Sequence, residues 1–165
     1  MRSFARFLLI GIAGATLAAP VASQRSDDQI LPKSVELQRE AKEMISAGKL
    51  DQAEGLLETS LAVDPRNRGA FVDIARVAEK QRLFGKAIRM TNKALQLDPN
   101  DPDAIAVQGE AMVELGATAP AQANLQKLQT ICGVKSCPQV AQLTAAISRG
   151  PSVAQAKVPA SPKSN

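Results

Sequence analysis

The chain has 165 residues, 45% of them hydrophobic, enough for one domain with a buried core. It has no His, Trp or Tyr, which excludes Ser-His-Asp triads, Cys-His pairs and the usual histidine ligand sets for zinc and haem. A formal charge of +4 and a pI near 9.3 argue only weakly for nucleic acid, since no Lys/Arg run and no stacking aromatics accompany them.

The N-terminal stretch "MRSFARFLLIGIAGATLAAPVAS" carries Arg2 and Arg6, an apolar run from Phe7 to Ala19, and small residues at Val21, Ala22 and Ser23. The run is too short to span a bilayer and reads as a cleavable secretory signal over residues 1–23, with Ala18 as the second choice of cut and an uncleaved N-terminal anchor as the rival reading. Cleavage after Ser23 removes both arginines, leaving 18 basic against 16 acidic side chains. The expectation is export across the inner membrane to the periplasm, with no membrane span left after cleavage. No Cys near the cut offers a lipid acceptor, and residues 24–33 read as a short linker.

From Ser34 the chain repeats. Asp64-Pro65 returns as Asp98-Pro99, 34 residues later. Counting units from Ser34, Arg68 and Pro102, the twentieth position holds Ala53, Ala87 and Ala121. The eighth holds Ala41, Ala75 and Gly109, and the fourth holds Leu37, Phe71 and Ile105. Small residues let antiparallel helices approach, and large apolar ones at three- and four-residue intervals fill their seam. The spacing predicts helices over about 34–47 and 51–63, 68–81 and 85–97, and 102–115 and 119–131. Gly48 would close the first in a left-handed cap, each Asp-Pro would stop a second helix, and Asp101 would cap the fifth.

A further helix over 138–149, "PQVAQLTAAIS" with its next residue, aligns Val140, Leu143, Ala146 and Ile147 on one face and would cap the stack. Residues 150–165, with Pro151, Pro159 and Pro162 and no period, read as a disordered tail. Cys132 and Cys137 form "CGVKSC": the spacing rules out a redox Cys-x-x-Cys, and no neighbouring His or Cys completes a metal site. A structural disulfide tying the third unit to the cap helix is the reading that fits export.

These units resemble the tetratricopeptide repeat (TPR) family, most closely in "AGKLDQAEGLLETSLAVDPRN". The resemblance implies an all-α, TPR-like solenoid: a domain over 34–149, with repeats at 34–67, 68–101 and 102–135 and the C-terminal capping helix after them. The third repeat departs at Gly133, where the others have Pro65 and Pro99. The family's aromatics at positions four and eleven are reduced to Phe71, which thins the core.

The resemblance also implies a concave groove lined by the first helix of each hairpin. Groove residues would be Gln38, Lys42, Val72, Arg76, Glu79, Glu110 and Glu114, running from basic to acidic and suiting a peptide of opposite pattern. The double reversal Lys42→Glu plus Arg76→Glu is expected to leave the fold intact. The family's carboxylate clamp uses Asn with Lys and Arg, and Asn is absent from these groove positions. The expected function is an exported, non-enzymatic module binding a protein or peptide partner, without cofactor, metal or nucleic acid. A self-associating structural protein and a histidine-independent enzyme are the alternatives.

Overall fold

The computed structural model describes residues 29–133 and 137–152, and they form seven helices. In chain order these are α1 (Pro32–Ser46), α2 (Leu50–Val63), α3 (Arg68–Lys80), α4 (Phe84–Leu97), α5 (Pro102–Glu114), α6 (Thr118–Cys132) and α7 (Pro138–Arg149). The expected signal at 1–23, the start of the linker and tail residues 153–165 lie outside the described residues. The linker to Lys33 needs correcting. Helix α1 already starts at Pro32, whose fixed backbone suits a first helical position.

The punctuation residues do more than stop helices. Asp64 and Asp98 are the extended C-caps of α2 and α4, and each carboxylate accepts the backbone N–H two residues on, from Arg66 at 3.0 Å and Asn100 at 2.9 Å. Asp64 also accepts the Leu31 N–H at 2.9 Å, fastening the entry of α1 to the end of the first hairpin. With Arg66 beside it, the buried Asp64 carboxyl is held well below the usual carboxylate range by hydrogen bonds from Arg66 and Leu31. Asp101 caps α5 by accepting from Asp103 N at 2.9 Å and Ala104 N at 3.3 Å.

Within each hairpin the turn needs a left-handed residue. Gly48 and Gly116 supply it at φ 74° and 77°, and the equivalent residue of the middle hairpin is Arg82 at φ 62°. An L-residue with a Cβ is disfavoured there by about 1–2 kcal/mol.

Ala53, Ala87 and Ala121 are fully buried where the hairpin helices touch, as are Ala41 and Ala75. At Gly109 an added Cβ would come within 2.7 Å of the Leu143 methyls, so the missing side chain is what lets α7 seat on α5. Leu143 and Ala146 are buried there, with Val140 and Ile147 packed partly beside them. Helices α1, α3 and α5 touch in series, and α7 continues the row against α5. Among the described residues α2, α4 and α6 touch no helix of their own set. The first set therefore forms the inner, concave wall and the second the splayed outer one.

Candidate functional site

Two charged clusters lie along the inner wall. The first sits between α1, α3 and the start of α5, around Asp73. This carboxylate is 3% exposed and fully engaged: Gln38 Nε2 donates to Oδ2 at 2.6 Å, Arg76 Nη1 donates to Oδ1 at 3.2 Å, and Lys42 Nζ lies 3.6 Å from Oδ2. Arg76 Nη2 also donates to Asp103 Oδ1 at 2.7 Å. Gly69 permits this arrangement, because a Cβ there would meet Gln38 Nε2 at 2.6 Å.

The expected basic end of the groove is thus neutralised from within, and a basic-to-acidic polarity does not describe the wall. Val72 is 2% exposed and forms part of the wall rather than a free contact. The double reversal Lys42→Glu plus Arg76→Glu would set two carboxylates against the buried Asp73, so the fold is not expected to tolerate it as an exposed pair would. Asp73 and Asp103 are the site residues that sequence reasoning misses. A signal for them exists, since Asp73 lies three residues before Arg76 on the same helical face and Asp103 stands at the second position of its unit.

The second cluster lies where α3 ends, beside α5 and the end of α7. Glu79, Glu110 and Glu114 line a cleft of about 290 Å³ with three cations, Lys80, Arg82 and Arg149, and with Phe84 and Ser152. Burial, with Glu110 as the next cause, pushes Glu79 up to about 8, against the pull of Arg76 and Lys80. Burial also raises Glu110, countered by a Gln142 hydrogen bond and by Arg149 and Arg76. Burial acts on Glu114 in the same direction but is outweighed, chiefly by the Ser152 hydroxyl and amide, and its carboxyl lies below the usual value. Ser152 Oγ and N donate to the same Glu114 Oε2 at 2.6 and 2.9 Å. Composition assigns Ser152 to the tail, yet it is part of this cleft.

Cys132, at the end of α6, and Cys137, just before α7, are paired with Cα atoms 5.6 Å apart. No cluster of His, Cys, Asp and Glu suited to a metal ion occurs among the described residues, and no described helix is long and apolar enough to cross a membrane.

Stacked hairpins with an inner and an outer set of helices define the class: a short α-solenoid. Among solved structures the chain is similar to the first TPR of Spaghetti (RPAP3) bound to HSP90 peptide SRMEEVD. That likeness has a TM-score of 0.64 at 19% identity over 76% of this chain and 94% of the other. It is similar to the TPR2B domain of yeast Sti1 in complex with pHsp70, with a TM-score of 0.64 at 24% identity, covering 71% and 97%. It also resembles the Yersinia enterocolitica type III secretion chaperone SycD in complex with a peptide of the translocator YopD, with a TM-score of 0.61 at 18% identity, covering 70% and 86%. Neither a protein-family model nor a curated protein matches the chain in sequence. The fold is that of the tetratricopeptide repeats.

Proposed function

We propose that this chain is an exported, non-enzymatic binding module that takes an extended peptide segment of a protein partner along its concave wall. The observation that carries the reading is the row α1, α3 and α5, which presents two charged clefts in succession on one face. Two neighbours of the same fold are solved with peptides, and a third in complex with pHsp70. Residues 1–23 supply the export signal, and the Cys132–Cys137 pair suits an oxidising periplasm.

The test removes charge at both clefts without facing Asp73 with a like charge. Lys42→Gln plus Glu110→Gln is compared with the parent by mild crosslinking in intact cells and mass spectrometry. Loss of a specifically crosslinked envelope protein from the folded variant is the expected result. An identical set captured by both chains overturns the groove reading.

A self-associating protein is the second reading, favoured by Leu97 and Ile131, which are 45% and 37% exposed at equivalent positions of α4 and α6. Mass in solution separates the two: a monomer at micromolar concentration removes the second reading.

A further inference from the structure

The outer wall carries its charge differently from the inner one. Helices α4 and α6 contain Lys86, Arg89, Lys93 and Lys127 and not one Asp or Glu. The twenty-second, twenty-sixth and thirtieth positions of a unit are four residues apart and so line one stripe of its second helix. On α4 the stripe is Arg89, Lys93 and Leu97, and on α6 it is Ala123, Lys127 and Ile131, all exposed. On α2 it is Gly55, Thr59 and Val63, with no charge.

Arg89 and Lys93 repel each other at this spacing, a cost that the helix itself does not answer. Arg89 donates to the Gly85 carbonyl at 3.2 Å and Lys127 to the Pro99 carbonyl at 2.6 Å, contacts that leave both charges uncompensated. Lys93 has no hydrogen bond or ion pair among the described residues. Lys86 differs, being paired with Glu54 of α2. Asp98, next after Leu97, is engaged by Arg68 at 2.7 Å. Glu58 is exposed on α2, so the face without free acid begins at α4.

Each of the two stripes ends in an exposed apolar side chain, Leu97 or Ile131, with a lysine one helical turn, about 5.4 Å, before it. That is the depth order of a bilayer surface, where an apolar tip enters the acyl boundary and a cation one turn back meets the headgroup phosphates. A second copy using the same face would set Arg89, Lys93 and Lys127 against their own like, which favours an anionic occupant. Helices α4 and α6 do not touch, so the two tips are separate points rather than a pocket for a protein partner's anchoring side chain. A lipid surface requires no pocket.

We propose that the convex face of α4 and α6 docks on an anionic lipid surface, with Leu97 and Ile131 entering the interface and Arg89, Lys93 and Lys127 on lipid phosphates. The concave wall then faces away from the membrane, open to a peptide. The proposal goes beyond the peptide-binding reading and does not depend on it. Each cation held at such a surface strengthens association about fivefold, so three give roughly a hundredfold preference for anionic over neutral lipid.

The test is co-sedimentation of the full chain with vesicles of phosphatidylglycerol and phosphatidylcholine, against vesicles of phosphatidylcholine alone. Lys93→Gln plus Lys127→Gln should weaken binding to the mixed vesicles about 25-fold and flatten its salt dependence. Both lysines are exposed, so the urea midpoint should not move. The N-terminal apolar run is the same in both chains, and the difference between them reports the outer face. In the isotope-labelled chain, spin-labelled lipid should broaden the methyl resonances of Leu97 and Ile131 before those of Leu83 and Leu115, which are exposed near the hairpin turns. Equal binding by parent and variant, or to both kinds of vesicle, overturns the proposal. Broadening at Leu83 and Leu115 first overturns the choice of face, as does loss of vesicle binding in Lys42→Gln plus Glu110→Gln on the inner wall. A dimer that ignores vesicles and becomes a monomer with Leu97→Ser plus Ile131→Ser overturns it in favour of a second copy. If vesicles are not bound while the crosslinked partner is still lost from Lys42→Gln plus Glu110→Gln, the lipid face is refuted and the concave binding face is not.

Discussion

Glu79 offers the sharpest test of the cleft at the end of α3. In the folded chain burial holds its carboxyl at about 8, against an ordinary value of 4.5. A carboxyl raised on folding binds its proton more tightly in the native state. Its contribution to stability is therefore whole below the unfolded value and is lost as pH rises through the folded one. Each pH unit inside that window costs about 1.4 kcal/mol, so from about pH 5 to pH 8 this one group should remove roughly 3–4 kcal/mol. Glu79→Gln has no such titration. The assay is urea unfolding of the full chain, followed by far-ultraviolet circular dichroism because the protein has neither Trp nor Tyr. Parent and variant should be within about 1 kcal/mol at pH 5, with the variant clearly the more stable at pH 8. An unchanged difference between parent and variant at the two pH values would refute the reasoning, since it would show that Glu79 is solvated in the fold.

Leu143→Ala should cost about 2–5 kcal/mol, because Leu143 is fully buried against Gly109, and hydrogen exchange should locate the loss in α7 before α1. Asp73→Ala should cost about 1–3 kcal/mol by removing the acceptor of Gln38 and one of the two carboxylates that Arg76 reaches, whereas Lys42→Gln, at a side chain 56% exposed, should stay within about 0.5 kcal/mol in the same urea titration. Arg82→Gly should raise stability by about 0.5–1 kcal/mol, as the relieved left-handed backbone outweighs the added unfolded-state freedom, and a lower urea midpoint would contradict it. Exported protein should show no free thiol by intact mass, and Cys132→Ser should cost about 2 kcal/mol for so short a loop.

The helices are legible in the sequence because their signals are local or periodic. Ala at the twentieth position and Asp-Pro at the unit ends place the turns, and the observed bounds differ from the expected ones by at most two residues. How charges on different units meet is hidden. Arg76 has a local partner in Asp73 on its own helix face, but only the stacking of α3 on α5 brings Asp103 within 2.7 Å of it. Ser152 is invisible for a similar reason: a tail rich in proline gives no sign of its partner until the turn at Gly150 aims it at Glu114. The Glu79–Glu110–Glu114 cleft falls between these cases, since groove positions name its residues but their mutual burial depends on α7 closing the end.

The seam at the twenty-seventh position has its own consequence. Ser60, Ala94 and Leu128 occupy it in the three hairpins, all with no exposed surface. At the first of them Ser60 and Ser34 share a hydrogen bond of 2.9 Å, and Asn67 Nδ2 donates to both hydroxyls. At the last, Leu128 packs in an apolar cluster with Ile105 and Leu143. Both linings are internal to their units, with Ser34 and Asn67 beside Ser60 in the first and Ile105 beside Leu128 in the third. The polar and the oily seam therefore travel with their hairpins, and this one residue cannot be traded between repeats without stranding a hydroxyl or crowding a methyl.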